Sequence, residues 1–182
     1  MKWIFVGLGN PGDEYVGTRH NVGRDFLLAL EKKILETDKS TKIILPDVFM
    51  NDSGKPVKKL WGEKPSVKAL AELVVVHDDL DLPLGKVKIS FGSGAGGHRG
   101  VASIQKALKT KDFVRVRVGI SPATPGGKLK KPDQEKVIDF VLGTFKPSEQ
   151  EKLKKAHKLV GEALELLVVD GREKATMEIH SR

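Results

Sequence analysis

The 182-residue chain contains no cysteine, and this absence excludes several kinds of site. Without thiols the protein has no disulfides, no cysteine-ligated zinc and no cysteine nucleophile. Long apolar runs are missing as well, since none approaches the roughly 20 residues that span a bilayer. The apolar run in MKWIFVGLGNPG is too short for the hydrophobic region of a secretory signal. We therefore expect no membrane association and a cytoplasmic location.

Charge of both signs is abundant, with an excess of basic residues. The sequence has 32 Lys and Arg against 24 Asp and Glu, a formal net charge of +8. Hydrophobic residues make up 39% and charged residues 31%, which is ordinary for a folded protein with a substantial core. The basic excess suits a polyanionic partner such as nucleic acid, but charge alone leaves that partner open.

Strand-like and helix-like segments alternate along the chain. Strand patterns cover 2–8, 41–45, 73–76, 86–91 and 113–120, and helical patterns cover 21–36, 66–72, 101–108, 147–167 and 173–180. This alternation predicts a single α/β domain over 1–182, with a β-sheet covered by helices on both faces and C-terminal helices within 147–180. The segment SPATPGGKLKKPDQ (121–134) lacks apolar periodicity and is expected to be a mobile loop.

The stretch GLGNPG (7–12) matches the glycine spacing of a dinucleotide-binding fingerprint. Its surroundings do not fit, because Pro11 removes an N–H donor and Asp13 and Glu14 add two carboxylates where a phosphate would bind. The helical pattern also begins late, near Asn21. A second glycine loop, GSGAGGHRG (92–100), lacks the G-K-[ST] of a Walker A motif. We therefore expect no nucleotide cofactor.

Polar residues with catalytic potential follow the predicted strands. Sites in α/β sheets gather at the carboxyl ends of strands, which brings together 9–21, 77–81 and 92–100. His20 is suited to proton transfer near neutral pH, and Asp78 or Asp79 could orient it. The amides of Asn10, Asn21 and Asn51 could donate to an oxyanion. On the residues alone, commoner roles stay open: a histidine on the surface or at a helix cap, and asparagines in turns.

Metal binding is not expected. His77 and Asp78 are adjacent on a strand and should point to opposite faces, and His98, His157 and His180 have no ligand-like spacing. No serine lies in a G-x-S-x-G elbow. What remains is water activated by a His–Asp pair, without a metal, an organic cofactor or a covalent intermediate.

Six segments, in order, resemble the bacterial-type peptidyl-tRNA hydrolase family. They are GLGNPGDEYVGTRHNVG (7–23), PDVFMNDSG (46–54), VVVHDDLDLPLGK (74–86), GSGAGGHRG (92–100), FVRVRVGI (113–120) and DFVLGTF (139–145). The resemblance implies a monomeric α/β fold with a twisted, mixed sheet. It also implies hydrolysis of the ester between a peptide and the terminal ribose of tRNA, without metal or cofactor.

By motif position, the resemblance also implies roles for individual residues. His20 would be the catalytic base and Asp78 its orienting carboxylate, while Asn10 and Asn51 would hold the peptide and the reacting carbonyl. The remaining implied contacts are with the peptide and the acceptor end (Tyr15, Phe49, Met50, Gly94, His98, Arg99) and with tRNA phosphates (Lys88, Arg117).

Three departures from the family pattern leave an alternative open. Arg99 stands where the family usually has an Asn that orients water or substrate; Arg cannot accept a hydrogen bond but could contact a phosphate. Ser90 replaces a common basic residue, whose phosphate contact Lys88 could take over. The segment 37–45 is shorter than usual. The alternative is a non-catalytic RNA-binding relative, such as a splicing partner, although such a protein would not need all four catalytic side chains.

Overall fold

A five-stranded β-sheet forms the centre of the protein in the computed structural model, which describes residues 3–60, 66, 70 and 72–182. The strands are β1 (Ile4–Gly7), β2 (Lys42–Ile44), β3 (Leu73–Pro83), β4 (Val87–Phe91) and β5 (Val114–Ser121). Their order across the sheet is β2-β1-β3-β5-β4. All neighbours run parallel except β4, which pairs antiparallel with β5. The predicted α/β class with a mixed sheet is confirmed.

Six α-helices lie within the described residues. They are α1 (Val22–Thr37), α2 (Gly54–Lys59), α3 (Arg99–Leu108), α4 (Val137–Leu142), α5 (Gln150–Asp170) and α6 (Arg172–His180). Helices α1, α3, α5 and α6 lie where the periodicity predicted them. Helices α2 and α4 were missed, because six residues each are too few to establish a helical period. The helix predicted over 66–72 lies largely outside the described residues.

Two apolar cores, one on each face of the sheet, explain how the helices cover it. In β3, Val74 and Val76 pack into the core that α1, α5 and α6 complete, while Leu73 and Val75 pack into the core that α3 completes. This division follows from the strand geometry, since successive side chains point to opposite faces. The prediction of helices on both faces is confirmed.

Strand β3 is longer than its apolar run predicted. It continues from the buried valines through Asp78 and Asp79 to Pro83, because β5 pairs with this acidic stretch across an irregularity between Asp79 and Pro83. The extension carries two carboxylates beyond the apolar core, at the carboxyl end of the parallel strands.

A glycine allows α1 to approach that same end of the sheet. A Cβ on Gly23 would lie 2.2 Å from the carbonyl oxygen of Val76, so only glycine permits this contact. The close approach brings the 3-10 turn Arg19–Asn21, which precedes α1, over the end of β3.

The segment 121–134 contains local backbone pairing. Ala123 and Leu129 form an isolated β-bridge, and the Lys131 ammonium pairs with the Asp81 carboxylate. The mobility of this segment stays a prediction. Among the described residues, no helix combines the length and the apolar character needed to cross a bilayer.

Candidate active site

His20 and Asp78 form a hydrogen-bonded pair at the end of β3. The His20 Nδ1 atom lies 2.9 Å from Asp78 Oδ1 and 3.1 Å from Asp78 Oδ2. Asp79, the alternative partner considered from the sequence, points elsewhere, and its Oδ2 accepts a 2.6 Å hydrogen bond from Arg117 Nε. Since an ionised carboxylate accepts only, His20 carries its proton on Nδ1, and its Nε2 is left as the basic atom.

The pair shifts the pKa values of both its members. Burial acts to lower the pKa of the His20 imidazole, but the charge of Asp78 and its hydrogen bond outweigh burial, so the pKa is raised above its usual 6.5. Burial alone would raise the pKa of the Asp78 carboxyl. The charge of His20, together with the hydrogen bonds from His20 and His98, instead holds it far below its usual range. Asp78 therefore stays ionised and stabilises a protonated His20.

His98 is a second hydrogen-bond partner of Asp78. Its Nε2 lies 2.8 Å from Asp78 Oδ1, and its side chain is only 7% exposed. The resemblance implied that His98 contacts substrate; the ring borders the cavity described below, but one edge of it is committed to the carboxylate. The spacing of His98 from the other histidines in the sequence does not predict its contact with Asp78, because that contact depends on the tertiary fold.

His20, Asp78 and His98 are the described residues that come nearest to a metal-binding set. Their possible ligand atoms lie within 4.8 Å of one another. However, His98 Nδ1 accepts a 3.3 Å hydrogen bond from the backbone N–H of Val101, which places the His98 proton on Nε2. Both histidines thus direct an N–H at Asp78, so a cation could bind between them only by displacing both protons.

Asn10 is fixed so that its amide group can donate into the cavity. Its Oδ1 accepts a 2.8 Å hydrogen bond from the backbone N–H of Met50, which leaves Nδ2 as the free donor. The backbone of Asn10 is held by the Asn21 amide, which accepts from Asn10 N–H and donates to Asn10 O, both at 2.9 Å. Asn21 is buried and does not border the cavity described below, so the structure assigns it the role of a brace for Asn10 rather than that of an oxyanion donor.

A cavity of about 630 Å³ opens beside these residues. His20, Asp78, Asn10 and Asn51 form its polar end. An apolar wall is contributed by Leu80 and by one side of α4 (Val137, Ile138, Val141, Leu142). The sequence offered no signal for this wall, because α4 was not predicted. The cavity therefore combines a few polar side chains with a larger apolar lining, as small-molecule and peptide sites commonly do.

The residues predicted to contact the peptide or the acceptor end divide into two groups. Met50, Phe49 and Arg99 border the cavity, with Met50 buried and Phe49 56% exposed at the mouth. Tyr15 and Gly94 do not border it. Tyr15 instead packs edge-on against Phe49, with ring centroids 6.2 Å apart, and so contributes to the surroundings of the mouth.

Lys88 and Arg117, the predicted phosphate contacts, are cross-strand neighbours outside the cavity. They are directly paired in the β4–β5 register and share one face of the sheet. Arg117 is tied to Asp79, which borders the cavity, so the basic pair is connected to the site through one ion pair. Arg115, on the same face of β5, is buried and donates to the Ser93 hydroxyl.

Arg19 anchors the turn that carries His20, a role that the sequence did not reveal. Its guanidinium pairs with Glu149 at 2.8 Å and donates to the carbonyl oxygens of Gly143 and Thr144. It also lies 4.5 Å from the ring centre of Phe140. These contacts fix the His20 turn against α4 and the segment that follows it.

Comparison with known proteins identifies the family to which this chain belongs. The family model for peptidyl-tRNA hydrolase matches residues 4–182. The chain is 38% identical over 194 aligned residues to the peptidyl-tRNA hydrolase of Thermodesulfovibrio yellowstonii, with 98% of each chain covered. It is 37% identical over 201 aligned residues to that of Dehalococcoides mccartyi, with 100% of each covered.

Solved structures show the same fold. The 1.00 Å crystal structure of peptidyl-tRNA hydrolase from Acinetobacter baumannii superposes with a TM-score of 0.77 at 28% identity, covering 97% of this chain and 93% of that one. A peptidyl-tRNA hydrolase in complex with N-propanol gives a TM-score of 0.80 at 29% identity, with the same coverage. The polar cluster and its cavity thus lie in a chain that belongs to the peptidyl-tRNA hydrolase family.

Proposed function

We propose that the protein hydrolyses the ester bond between a peptide and the terminal ribose of tRNA, with His20 as general base. The observation that carries the proposal is the His20–Asp78 hydrogen bond of 2.9 Å at the polar end of the cavity, beside the free amide donor of Asn10. Family membership supplies the substrate class, and the geometry supplies a base, its orienting group and a donor.

In the proposed reaction His20 first accepts a proton from water and later donates it to the leaving ribose oxygen. His20 Nε2 removes a proton from a water molecule as the water oxygen attacks the ester carbonyl carbon, and Asp78 stabilises the resulting imidazolium. The amides of Asn10 and Asn51 donate to the oxyanion of the tetrahedral intermediate. When the intermediate collapses, the bond to the ribose oxygen breaks, and His20 returns the proton to that oxygen. The products are tRNA with a free hydroxyl and a peptide with a free carboxyl group, which releases the second proton of the water molecule to solvent.

The walls of the cavity are suited to a peptide of varied sequence. Ile138, Leu142 and Phe49 present exposed apolar surface around the opening, which can cover side chains without specific polar contacts. Met50 is buried and held through its backbone by Asn10, so it gives this wall a fixed shape.

The basic residues support contacts with tRNA phosphates. Lys88 lies directly opposite Arg117, and like charges in that position are unfavourable unless an anion compensates them. Asp79 neutralises Arg117 in part, while the exposed Lys88 is free to bind a phosphate. Arg99, exposed at the rim of the cavity, is placed to contact a phosphate near the acceptor end.

We further propose that the enzyme acts as a monomer, without a metal or an organic cofactor, in the cytoplasm where tRNA is used. None of the observations on the described residues or the relatives favours the alternative of a non-catalytic RNA-binding protein.

The test compares His20→Ala with the wild-type chain on an N-acetyl-aminoacyl-tRNA. We expect the variant to lose ester cleavage while its affinity for tRNA is unchanged, because the substitution leaves the proposed phosphate contacts (Lys88, Arg99, Arg117) in place. His157→Gln, which changes a histidine on α5 that packs against Phe26, is the matched control and should retain activity. Full turnover by His20→Ala would rule out the mechanism, and no turnover by the wild-type chain would rule out the function.

A further inference from the structure

We propose that His98 is a positioning residue of the reaction: its Nε2–H holds one oxygen of Asp78 and limits the negative charge that the carboxylate presents to His20. The inference rests on the proposed function of His20, but its test does not require substrate. Three features support it, namely the proton position on His98, the sharing of Asp78 Oδ1, and the packing around the His98 ring.

The proton position on His98 is determined by its backbone contact. His98 is the N-cap of α3, and its side chain accepts the backbone N–H of Val101. An imidazole nitrogen that accepts a hydrogen bond carries no proton, so the neutral ring has its proton on Nε2. That nitrogen lies 2.8 Å from Asp78 Oδ1. One residue therefore caps a helix with one edge and donates to the buried carboxylate with the other.

Asp78 Oδ1 is shared between two donors. His20 Nδ1 lies 2.9 Å from it and His98 Nε2 lies 2.8 Å from it, and the Asp78 side chain is only 3% exposed. A carboxylate that already accepts a strong hydrogen bond is a weaker acceptor for a second donor. His98 therefore weakens the stabilisation that Asp78 gives to a protonated His20. As a result, a larger fraction of His20 stays in the neutral form that can act as a base.

Packing fixes the plane of the His98 ring. His20 lies on one side with ring centroids 4.9 Å apart, and His77 lies edge-on on another at 4.8 Å. His77 Nδ1 donates to the backbone oxygen of Asp78 at 2.6 Å, and burial holds the pKa of His77 well below its usual value. His77 is thus a neutral support that orients His98 without adding a charge beside Asp78.

Other charged groups near His20 come from three directions. On the α3 side, Arg99 acts to lower the pKa of His20, in the same direction as the effect proposed for His98. On β3, Asp79 is paired with Arg117, and on the turn of His20 itself Arg19 is paired with Glu149. Since these groups stay in place in a His98 variant, a change in the titration of His20 can be assigned to His98.

The decisive variant is His98→Asn, with His98→Ala as its matched comparison. Asparagine is a good N-cap and can accept the Val101 N–H, but its side chain is too short to reach Asp78. Alanine loses both contacts. The two variants should therefore shift the pKa of His20 alike, while His98→Ala should lower the melting temperature more than His98→Asn, because only alanine also loses the cap.

The experiment is ¹⁵N NMR of histidine-labelled full-length protein without substrate, followed by the pH profile of kcat/KM. In the wild-type protein we expect the Nε2–H tautomer for His98. In His98→Asn we expect the pKa of His20 to rise by about half a unit or more, and the acid limb of kcat/KM to move to higher pH by the same amount. An Nδ1–H tautomer in the wild-type protein, or an unshifted His20 titration in folded His98→Asn, would overturn the inference. Failure of the proposed function would instead be seen as no hydrolysis by the wild-type enzyme, with the NMR titration unaffected.

Discussion

Replacement of Asp78 by Asn should lower the rate of hydrolysis strongly and, at the same time, make the remaining activity more tolerant of acid. The carboxylate is buried and accepts N–H groups from His20 and His98. Asn has one acceptor oxygen and adds an NH₂ group, so it cannot accept from both histidines as Asp does. Because His98 is held in its tautomer by Val101, His20 is the ring that would lose its Nδ1–H contact.

The magnitude follows from the charge interaction that the substitution removes. Opposite charges about 4 Å apart attract by about 4 kcal/mol at an effective dielectric constant of about 20. That attraction stabilises the imidazolium formed in the transition state, and about 1.4 kcal/mol corresponds to a tenfold change in rate. We therefore expect kcat to fall by about a thousandfold. Burial still acts to lower the pKa of His20, so the acid limb moves to lower pH once Asp78 no longer opposes it.

The assay is release of the N-acetyl-amino acid from tRNA at saturating substrate, measured across pH 5–9. Asp81→Asn is the matched control, because Asp81 lies on the same strand but pairs with Lys131 and does not border the cavity. It should retain most of the wild-type rate. A loss of less than tenfold in Asp78→Asn, or an acid limb that moves to higher pH, would refute the assignment of Asp78 as the partner of His20.

Three further predictions test the donor, the basic face and the close approach of α1. Asn10→Asp keeps the oxygen that accepts a backbone N–H but loses the amide donor, so kcat should fall about a hundredfold; an unchanged kcat would exclude the donor role. Lys88→Ala should reduce the slope of the logarithm of the tRNA binding constant against the logarithm of salt concentration by about one. Lys158→Ala on α5 should leave that slope unchanged. Gly23→Ala should lower the free energy of unfolding by about 1–3 kcal/mol, measured by denaturant titration, because its Cβ would lie 2.2 Å from a β3 carbonyl oxygen; wild-type stability would contradict the packing argument.

The His20–Asp78 pair could be predicted from sequence because strand ends determine its location. Gly7 of β1 is paired with Val76 of β3, so residues that follow these two positions lie at one edge of the sheet. The choice of Asp78 over Asp79 also has a physical basis. Asp78 alternates with Val76, which packs on the α1 side, and His20 lies just before α1.

The contacts of His98 and the apolar wall could not be predicted in the same way. His98 reaches Asp78 only because α3 begins at this edge of the sheet, and no spacing within the glycine loop specifies that. The wall on α4 comes from six residues, VIDFVL, in which apolar side chains are too dense to show a helical period. The role of Arg19 could not be predicted either, because its partner Glu149 lies 130 positions away in the sequence.

The stabilising contribution of Asp78 is lost at low pH, whereas that of His20 is lost at high pH. Together the two groups make the fold most stable at a lower pH than the one at which the enzyme is active. The pKa of Asp78 is lowered on folding, so its contribution is present above its usual 3.8 and is lost as the pH falls towards the folded value. The pKa of His20 is raised, so its contribution is complete below its usual 6.5 and is lost as the pH rises through the folded value. The site should thus stabilise the fold most between about pH 4 and 6.5, where His20 is largely protonated and cannot act as a base. Thermal unfolding of the wild-type chain and of His20→Ala from pH 4 to 8 measures this difference. The stability advantage of the wild-type chain should shrink as activity rises, and an advantage that grows with pH would show that Asp78 does not raise the pKa of His20.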